Sequence, residues 1–384
     1  MAFLPFYFPA ETPPKVVIVG GGYAGMAALV TFYRHCPSAE VTLIDPRSDH
    51  FKITHLHERF RDPTARIKIP FEVLARRFGF RHVCATVDFD GETLRQWQID
   101  RHLTIDGQRL AFDYLLLATG AKIDKISSSD RVVDLDLLSG EAFHTVIGRL
   151  SALEDERVPI TVVGGGPTGI QFLFEIAHWL AVVKKPNPLR LIEASDNVLT
   201  QFRPGLGKYV RSNMVSLGVE FLPNTVFQGQ EGEDLWVETK QSGGQTRLTS
   251  GLTFCFVGKR SSLALGTNPL GQVVVGRALL SHIFAAGDCS SYRSFGSNSK
   301  TAQSAVRKGK LCARNILRHS SRLKLLEPYL HQDLGYVLSL GPRDAIGWIG
   351  LQANIVGGAP AVAVKELVEA QHELLLAGID TYLI

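Results

Sequence analysis

A glycine-rich turn near the start of the chain has the residue types and spacing of a phosphate-binding site. Gly20, Gly22 and Gly25 stand in a G-x-G-x-x-G frame directly after the apolar run at residues 16–19. In such a frame the first glycine permits a tight turn, the second lets the backbone approach a pyrophosphate group, and the third allows close helix packing. Asp45 ends the next apolar run, where a carboxylate can accept hydrogen bonds from a ribose diol. The sequence therefore predicts a dinucleotide site, with the phosphates at a helix N-terminus.

The same unit recurs 144 positions later. Residues 159–163 lead into Gly164, Gly166 and Gly169, and the next predicted strand ends in Glu193. Two accidental matches of this quality are improbable, so the chain is predicted to hold two different dinucleotides. An oxidoreductase that passes a hydride between a nicotinamide and a flavin needs that arrangement.

Two further apolar strands, YLLLATG and HIFAAGD, end in turns of small residues. An acid just after a strand and beside a glycine can hold the hydroxyls of a flavin ribityl chain. Taken alone, either segment is only a strand that ends in a turn, so neither predicts a function by itself. The residues at these turns are Thr119, Gly120, Gly287 and Asp288.

The order of these motifs resembles the two-dinucleotide-binding-domain flavoproteins, also called the pyridine nucleotide-disulfide oxidoreductases. The resemblance covers approximately residues 15–315, and within that group LLLATGA, VVGGGPTG and KTAQSA look like segments of the type II NADH:quinone oxidoreductases. The absence of a C-x-x-C motif separates the chain from the disulfide reductases. Ile160 and Thr161 occupy the neighbourhood in which sulfide:quinone reductases carry a redox cysteine, which disfavours that branch.

By this resemblance the first glycine unit binds FAD. Ala302 and Gln303 are implied to open a helix whose N–H groups and dipole favour negative charge on the reduced flavin ring. Gln303 is also implied to border the quinone pocket. The residues implied to hold FAD are Gly20, Gly22, Gly25, Asp45, Thr119, Gly120, Gly287, Asp288 and Ala302.

The second glycine unit is implied to bind NADH through Gly164, Gly166 and Gly169. Glu193 would accept the adenosine ribose diol and repel a 2′-phosphate, and no arginine follows it closely to receive such a phosphate. NADH is therefore predicted rather than NADPH. Hydride transfer to a flavin needs no protein acid or base, so the protein is expected to supply positioning.

The helix after the second glycine motif departs from the type II pattern. Gln171 stands where the family usually carries Glu, and a Gln cannot act as an acid or base. Glu175 follows one turn later on the same side of the helix, so it is predicted to contact the nicotinamide or to move protons. The bulky residues at 172–174 replace small ones, and Phe174 is expected to crowd the nicotinamide pocket.

A third departure lies beyond Gln303, where Arg307 and Lys308 replace the glutamines expected by resemblance. Two cations at a presumed quinone gate suggest a different acceptor or an anionic one. The predicted catalytic residues are Glu175, Gln303 and Lys300, and no metal site is predicted.

These motifs need strands whose ends meet at one edge of a parallel sheet. The predicted fold class is α/β, with two Rossmann-like dinucleotide-binding domains and a smaller C-terminal segment. Residues 1–121 and 250–320 are predicted to form a discontinuous FAD domain, and residues 122–249 the NADH domain. Residues 321–384 are predicted to contact a membrane or a partner.

Composition limits the alternatives. Of the 384 residues, 45% are hydrophobic and 20% are charged, which supports packed cores and excludes a disordered or fibrous chain. A net charge of +4 is too small for the whole molecule to bind nucleic acid. Five cysteines at irregular spacing disfavour a disulfide scaffold and fit a reducing compartment. Neither a signal peptide nor a spanning helix is predicted. We expect a cytoplasmic protein, either free or peripheral on the cytoplasmic face of the membrane.

The segment 293–324 holds nine basic residues and no acid. Four of the basic residues follow helical spacing and share one face. A solvated face is one interpretation, and a docking surface for anionic lipid or an acidic partner protein is the other. The four residues are Arg307, Lys310, Arg314 and Arg318.

Residues 362–384 can form a helix with apolar side chains near one face and mostly acidic charges. A membrane-surface helix is normally basic on its polar face. Packing on the body of the protein or on a partner subunit is therefore favoured over a lipid anchor.

The leading hypothesis is an FAD-dependent dehydrogenase that oxidises NADH and passes the electrons to a quinone. One alternative is a flavoprotein reductase of a small electron-transfer protein that docks on the basic segment. Another is a non-catalytic flavin- or nucleotide-binding subunit that senses redox state, suggested by Gln171, Phe174 and Arg307. A homodimer also stays open.

Overall fold

The computed structural model describes residues 3–121, 129–140, 143–240, 243–257 and 264–381. Their strands are β1 (Lys15–Val19), β2 (Glu40–Ile44), β3 (Asp49–Phe51), β4 (Lys68–Pro70), β5 (Arg81–Val83), β6 (His102–Ile105), β7 (Gln108–Ala111), β8 (Tyr114–Leu117), β9 (Val132–Val133), β10 (Ile160–Val163), β11 (Leu189–Ile192), β12 (Glu220–Leu222), β13 (Thr225–Glu231), β14 (Asp234–Thr239), β15 (Gln245–Thr249), β16 (Leu252–Cys255), β17 (Leu265–Thr267), β18 (Gln272–Val275), β19 (Ala278–Ala285), β20 (Ser290–Tyr292), β21 (Gly335–Ser339), β22 (Ala345–Ile349) and β23 (Ile355–Gly357).

The α-helices of the same residues are α1 (Tyr23–His35), α2 (Phe71–Phe78), α3 (Gly91–Asp100), α4 (Leu135–Ser139), α5 (Phe143–Ser151), α6 (Pro167–Val183), α7 (Pro204–Ser216), α8 (Ala302–Ser320) and α9 (Ala359–Leu376). Two stretches, Ile53–Phe60 and Gly287–Cys289, form 3-10 helix.

The larger sheet has the strand order β20-β17-β18-β19-β8-β1-β2-β5. Its neighbours β19, β8, β1, β2 and β5 are all parallel. Every residue of β8 is buried, as its uninterrupted apolar sequence predicts for a strand covered on both faces. Because parallel strands end at the same edge, the residues that follow β1, β8 and β19 come together.

The second sheet has the order β12-β11-β10-β16-β9, and each adjacent pair in it is parallel. Strands β10, β11 and β16 are fully buried, and helix α6 packs on β10 and β11. An antiparallel sheet of β13, β14 and β15 adjoins it. The predicted α/β fold class with parallel sheets is confirmed.

Helices α1 and α8 pack against each other more extensively than any other pair of elements. Gly309 of α8 makes this possible, because a Cβ there would lie 2.1 Å from the carbonyl oxygen of Ala24 in α1. The contact brings the N-terminal half of α8 beside the helix that follows the first glycine turn.

The C-terminal part consists of the antiparallel sheet β21-β22-β23 followed by α9. Helix α9 packs on this sheet and on α1, so the tail helix lies on the body of the protein, one of the two arrangements expected from the sequence. The last predicted positions of that helix, residues 382–384, lie outside the described residues. Among the helices that the structure describes, none combines the length and the apolar character needed to cross a bilayer.

The basic face of α8 is turned inward, so the prediction that it is solvated or open for docking is wrong. Lys310 is 5% exposed and lies 2.8 Å from Asp380, and Arg318 is 4% exposed and forms an ion pair with Glu327. Arg314 pairs with the same glutamate. The acids that neutralise this face come from beyond the helix, which a count restricted to the basic segment does not reveal.

Two dinucleotide cradles and a buried carboxyl group

The first glycine unit forms a tight turn with one open position. Gly20 has φ +106°, and a Cβ there would lie 2.3 Å from the carbonyl oxygen of Ala118. A Cβ on Gly25 would lie 1.9 Å from the oxygen of Gly20, so that helix and turn are in contact. Around Gly22, in contrast, a Cβ would meet no atom within 4 Å. The second glycine therefore presents bare backbone to an open space at the N-terminus of α1, as a bound pyrophosphate requires.

Asp45 lies at the end of β2, as predicted, but it has a partner that the motif did not predict. Its carboxylate accepts a hydrogen bond from the Gly21 N–H at 2.7 Å and ion-pairs with Arg47 at 3.0 Å. Burial opposes ionisation of Asp45, but the Arg47 guanidinium and the N–H groups of Gly21 and Arg47 outweigh it and lower the pKa. The acid is thus a fixed anion beside the glycine turn.

The other residues predicted to complete this site converge on the same edge of the large sheet. A Cβ on Gly20 would lie 2.9 Å from the Thr119 N atom, and one on Gly287 would lie 3.1 Å from Ala24 Cβ. Gly287 and Asp288 form the 3-10 turn after β19, and Gly120 follows β8 with φ +73°.

Helix α8 begins beside this turn. Thr301 caps it by accepting a hydrogen bond from the Ser304 N–H, and the next residues, Ala302 and Gln303, are half-buried. Lys300, just before the cap, is exposed, and its catalytic role stays a prediction.

The second glycine unit repeats the first in detail. Gly164 has φ +104°, and its Cβ would lie 2.6 Å from the oxygen of Phe256. A Cβ on Gly169 would lie 1.9 Å from the oxygen of Gly164, whereas Gly166 again has no atom within 4 Å of its Cβ position. The internal repeat predicted from spacing is therefore a repeat of conformation as well.

We call each glycine unit with its acid a cradle: residues 20–45 form the first and residues 164–193 the second. Glu193 holds the position in the second cradle that Asp45 holds in the first. One carboxylate oxygen accepts from the Gly165 N–H at 2.5 Å and the other from the Ser195 N–H at 2.7 Å. Since Glu193 is only half-buried, these backbone bonds leave lone pairs for a ribose diol. Both cradles fit a dinucleotide, because each combines an open glycine, a helix N-terminus and an oriented carboxylate.

Glu175, on helix α6 of the second glycine unit, is completely buried. Among the described residues neither of its oxygens has a hydrogen-bond partner, and Arg61 Nη1 lies 3.6 Å away. Burial raises the pKa of Glu175 to about 7, although the Arg61 charge opposes the shift. A carboxyl group with such a pKa can both hold and release a proton at neutral pH.

The neighbours of Glu175 on α6 serve other contacts. The Gln171 amide donates to Ser339 Oγ at 3.2 Å, and Ser339 also bonds His57 Nε2 at 2.8 Å. Phe172 stacks on Phe256 with ring centroids 4.5 Å apart, and Phe174 is 5% exposed within the same hydrophobic core. The bulky residues at 172–174 therefore fill the core; whether Phe174 crowds a nicotinamide stays a prediction.

Lys308, predicted to stand at an acceptor gate, is 1% exposed. Its Nζ donates to Asn298 Oδ1 at 3.1 Å and lies 4.9 Å from the centre of the Tyr292 ring. Burial lowers its pKa, while Asp288 nearby opposes that shift. The lysine therefore places a buried cation behind the Asp288 turn instead of at the surface.

Several polar residues around the cradles were not found from the sequence. They lie outside the motifs. Only Arg47 could have been suspected from the sequence, because it stands two positions after Asp45. One group, His55, Glu58 and Glu369, has ligand types and mutual distances suited to a metal ion. Because Lys365 Nζ donates to both carboxylates, we interpret it as an ion-pair network. The residues missed are Arg47, His50, His57, Glu58, Arg61 and Lys365.

Comparison with known proteins identifies the class. Residues 14–309 match the family model of the pyridine nucleotide-disulphide oxidoreductases, and the chain belongs to that family. The protein is accordingly a flavin-dependent NADH oxidoreductase with FAD and NADH as its cofactors. The predicted family, enzyme class and cofactors are thereby confirmed.

The similar proteins cover nearly the whole chain. The type II NADH:quinone oxidoreductase of Staphylococcus aureus strain NCTC 8325 is 24% identical over 407 aligned positions, which cover 96% of this chain and 98% of that protein. The structure resembles NDH2 from Plasmodium falciparum in complex with NADH, with TM-score 0.75, 16% identity and coverage of 93% and 94%. It also resembles the sulfide:quinone oxidoreductase of Aquifex aeolicus, with TM-score 0.72, 15% identity and coverage of 95% and 92%.

Proposed function

We propose that the protein oxidises NADH and passes the electrons through FAD to a quinone. The observation that carries this proposal is the presence of two matching cradles in a chain that aligns end to end with a type II NADH:quinone oxidoreductase. When bound, FAD accepts the hydride that NADH supplies and returns electrons to an acceptor. The protein's own contribution is to place the two cofactors and the acceptor and to manage protons and charge.

The two sheets suggest how the cofactors are divided. We assign FAD to the large sheet and NADH to the second sheet. The predicted ranges, 1–121 and 250–320 for FAD and 122–249 for NADH, need one correction: β16 (Leu252–Cys255) pairs with β10 and belongs to the second sheet, because it closes that sheet beside the second glycine turn. The segment 321–384 then forms a separate C-terminal part, whose helix α9 packs on α1 of the FAD domain. The first of these boundaries falls at residues 122–128, which lie outside the described residues.

In the FAD cradle, Gly22 lets the phosphates approach the N-terminus of α1, and Asp45 orients the adenosine ribose. The N-terminus of α8, at Ala302 and Gln303, directs partial positive charge toward the same edge and favours negative charge on a reduced flavin. Lys308 adds a buried cation near Asp288. The remaining FAD contacts in this proposal come from Gly20, Gly25, Thr119, Gly120 and Gly287.

In the NADH cradle, Gly166 receives the phosphates at the N-terminus of α6, while Gly164 and Gly169 hold the turn. Glu193 selects NADH because its negative charge repels the 2′-phosphate of NADPH. Glu175 holds or releases a proton for quinone reduction, which consumes protons. Gln303 and Lys300 are proposed to border the acceptor.

The alternatives lose support from the structure. A small electron-transfer protein was expected to dock on the basic segment 293–324, but Lys310 and Arg318 of that segment are buried and paired, which leaves a smaller basic surface exposed. Membership of an enzyme family speaks against a purely sensing subunit. Peripheral attachment to the cytoplasmic face of a membrane, where a quinone is dissolved, belongs to the proposal.

The test separates the two half-reactions. The purified protein is mixed anaerobically with NADH while the visible flavin absorbance is followed, and a soluble quinone is then added. We expect rapid bleaching followed by full recovery of the absorbance. Bleaching that only oxygen, and not quinone, reverses would exclude the quinone as acceptor while leaving NADH as the donor. Absence of bleaching by NADH would refute the whole proposal.

NADPH in place of NADH is the matched control for the first step. If Glu193 selects the donor, NADPH at the same concentration bleaches the flavin much more slowly. Equal rates would remove the assigned role of Glu193 without affecting the proposal of a quinone acceptor.

A further inference from the structure

Arg61 lies between two carboxyl groups that have very different environments. Its Nη2 is 2.9 Å from Glu58 Oε1, and its Nη1 is 3.6 Å from Glu175 Oε1. The shorter distance is within hydrogen-bonding range and the longer one is not. The guanidinium is therefore committed mainly to Glu58 and only weakly to Glu175.

Glu58 is held in place by two further partners, Lys365 and His55. Lys365 Nζ donates to the same Oε1 at 2.9 Å, and His55 Nδ1 lies 3.1 Å from Oε2. Lys365 also pairs with Glu369, one turn along α9, at 2.6 Å. Burial opposes ionisation of Glu58, but His55 and Lys365 outweigh it and lower its pKa well below the usual range. Glu58 is thus a permanent anion that attracts Arg61.

Glu175 has no comparable support. Its side chain is 0% exposed, and among the described residues no group donates a hydrogen bond to it. The other groups nearby are neutral: Gln171 and Ser339 carry no charge, and burial lowers the pKa of His57 to about 3. Burial has the largest effect on the charge of Glu175, and among the described residues the charged groups that act on it are Arg61, Glu58 and Lys365.

We propose that Glu58 withholds Arg61 from Glu175 and thereby keeps the Glu175 carboxyl group able to carry a proton at neutral pH. Glu58 is thus a positioning residue that acts, through Arg61, on the charge of a buried acid near the NADH cradle. The inference concerns the charge state of Glu175; its use in turnover rests on the proposed function.

The test is a titration of Glu175 in the FAD-loaded protein. The infrared C=O stretch of a protonated carboxyl group, identified by its loss in Glu175→Gln, is followed against pH. In Glu58→Gln the amide keeps the size of the side chain but no longer holds Arg61, which is then free to pair with Glu175. We expect the Glu175 titration to move down by about one to three pH units, the usual effect of an adjacent opposite charge.

A second variant changes the same network in the opposite direction. Lys365→Met removes a nearby cation and leaves Glu58 more dependent on Arg61, so the Glu175 titration should move up. The matched control is Glu373→Gln, which breaks another ion pair between α9 and the 52–58 region, that with Lys52 at 2.7 Å, and should leave the titration unchanged.

An unchanged or raised titration in Glu58→Gln would overturn the inference, as would a shift of equal size in Glu373→Gln. Flavin content and thermal unfolding of each variant show whether it is folded. If Glu58→Gln does not fold, Lys365→Met decides the test, because a titration of Glu175 that moves down in that variant would also overturn the inference. The readout needs no turnover. If Glu175 titrates as expected but Glu175→Gln reduces quinone with an unaltered pH profile, only the proposed role of Glu175 in turnover fails.

Discussion

Gly166 and Gly169 lie three residues apart in the second cradle, yet replacing each with alanine should damage different properties. A Cβ on Gly166 would enter open space, and the backbone there has φ −76° and ψ 178°, which any residue adopts. A Cβ on Gly169 would lie 1.9 Å from the oxygen of Gly164, which is backbone and cannot swing aside. We therefore expect Gly166→Ala to impair binding and Gly169→Ala to impair folding.

The magnitudes follow from these distances. Gly169→Ala must push helix and turn apart, and overpacking of this kind costs about 1–3 kcal/mol, with this contact at the upper end. Gly166→Ala should leave stability unchanged or raise it by about 0.4–1 kcal/mol, because alanine restricts the unfolded chain. The added methyl group stands where the pyrophosphate approaches, so NADH affinity should fall at least about tenfold, which is about 1.4 kcal/mol.

Stopped-flow reduction of the flavin measures the binding, since the NADH concentration that gives half the maximal rate reports affinity for the reduced donor. Urea unfolding followed by circular dichroism measures the stability. A Gly166→Ala protein of normal stability and unchanged NADH dependence would refute the assignment of the open glycine to the phosphates. A Gly169→Ala protein as stable as the parent would refute the reasoning from the Cβ contact.

Three further changes test other parts of the structure. Glu193→Gln removes the charge but keeps the size, so the preference for NADH over NADPH in kcat/KM should narrow about tenfold, and an unchanged ratio would contradict the charge argument. The folded-state pKa of Glu175, about 7 against an ordinary 4.5, makes ionisation destabilising, so stability is lost as pH rises through that interval. We measure the free energy of unfolding in urea at pH 5 and at pH 8. Between these pH values the stability of Glu175→Gln should rise relative to that of the parent by up to about 3 kcal/mol. A difference in stability that does not grow with pH would contradict the raised pKa of Glu175. Asp380→Asn takes the negative charge from its buried pair with Lys310, so the protein should lose about 3 kcal/mol, whereas Arg322→Gln, at an exposed pair, should leave the melting temperature unchanged.

The cradles could be predicted from the sequence because their physics is local. Gly20 and Gly164 adopt positive φ, and Gly25 and Gly169 touch the turn five residues earlier, so the constraint is contained in each short motif. The parallel strands that carry these turns are buried on both faces, and their apolar runs show it directly. Such features leave a signal in consecutive residues.

The surroundings of Glu175 could not be predicted in this way. Its charge is set by Arg61 and Glu58, more than a hundred positions earlier, and by Lys365, 190 positions later. The basic face of α8 was misinterpreted for the same reason, since Asp380 lies 70 positions beyond Lys310. Where partners are distant in the chain, helical spacing shows which residues share a face but not what covers it.

The position of α9 has a consequence for how the protein is made. Its contacts join Lys365 to Glu58 across 307 positions, Glu373 to Lys52 across 321, and the Gly378 carbonyl, just after the helix, to Arg34 across 344. At typical translation rates the ribosome needs roughly 15 to 60 s to make the intervening chain. For that time α1 and the 52–58 region have been made but lack the helix that packs on them, so these contacts are among the last that the chain can form.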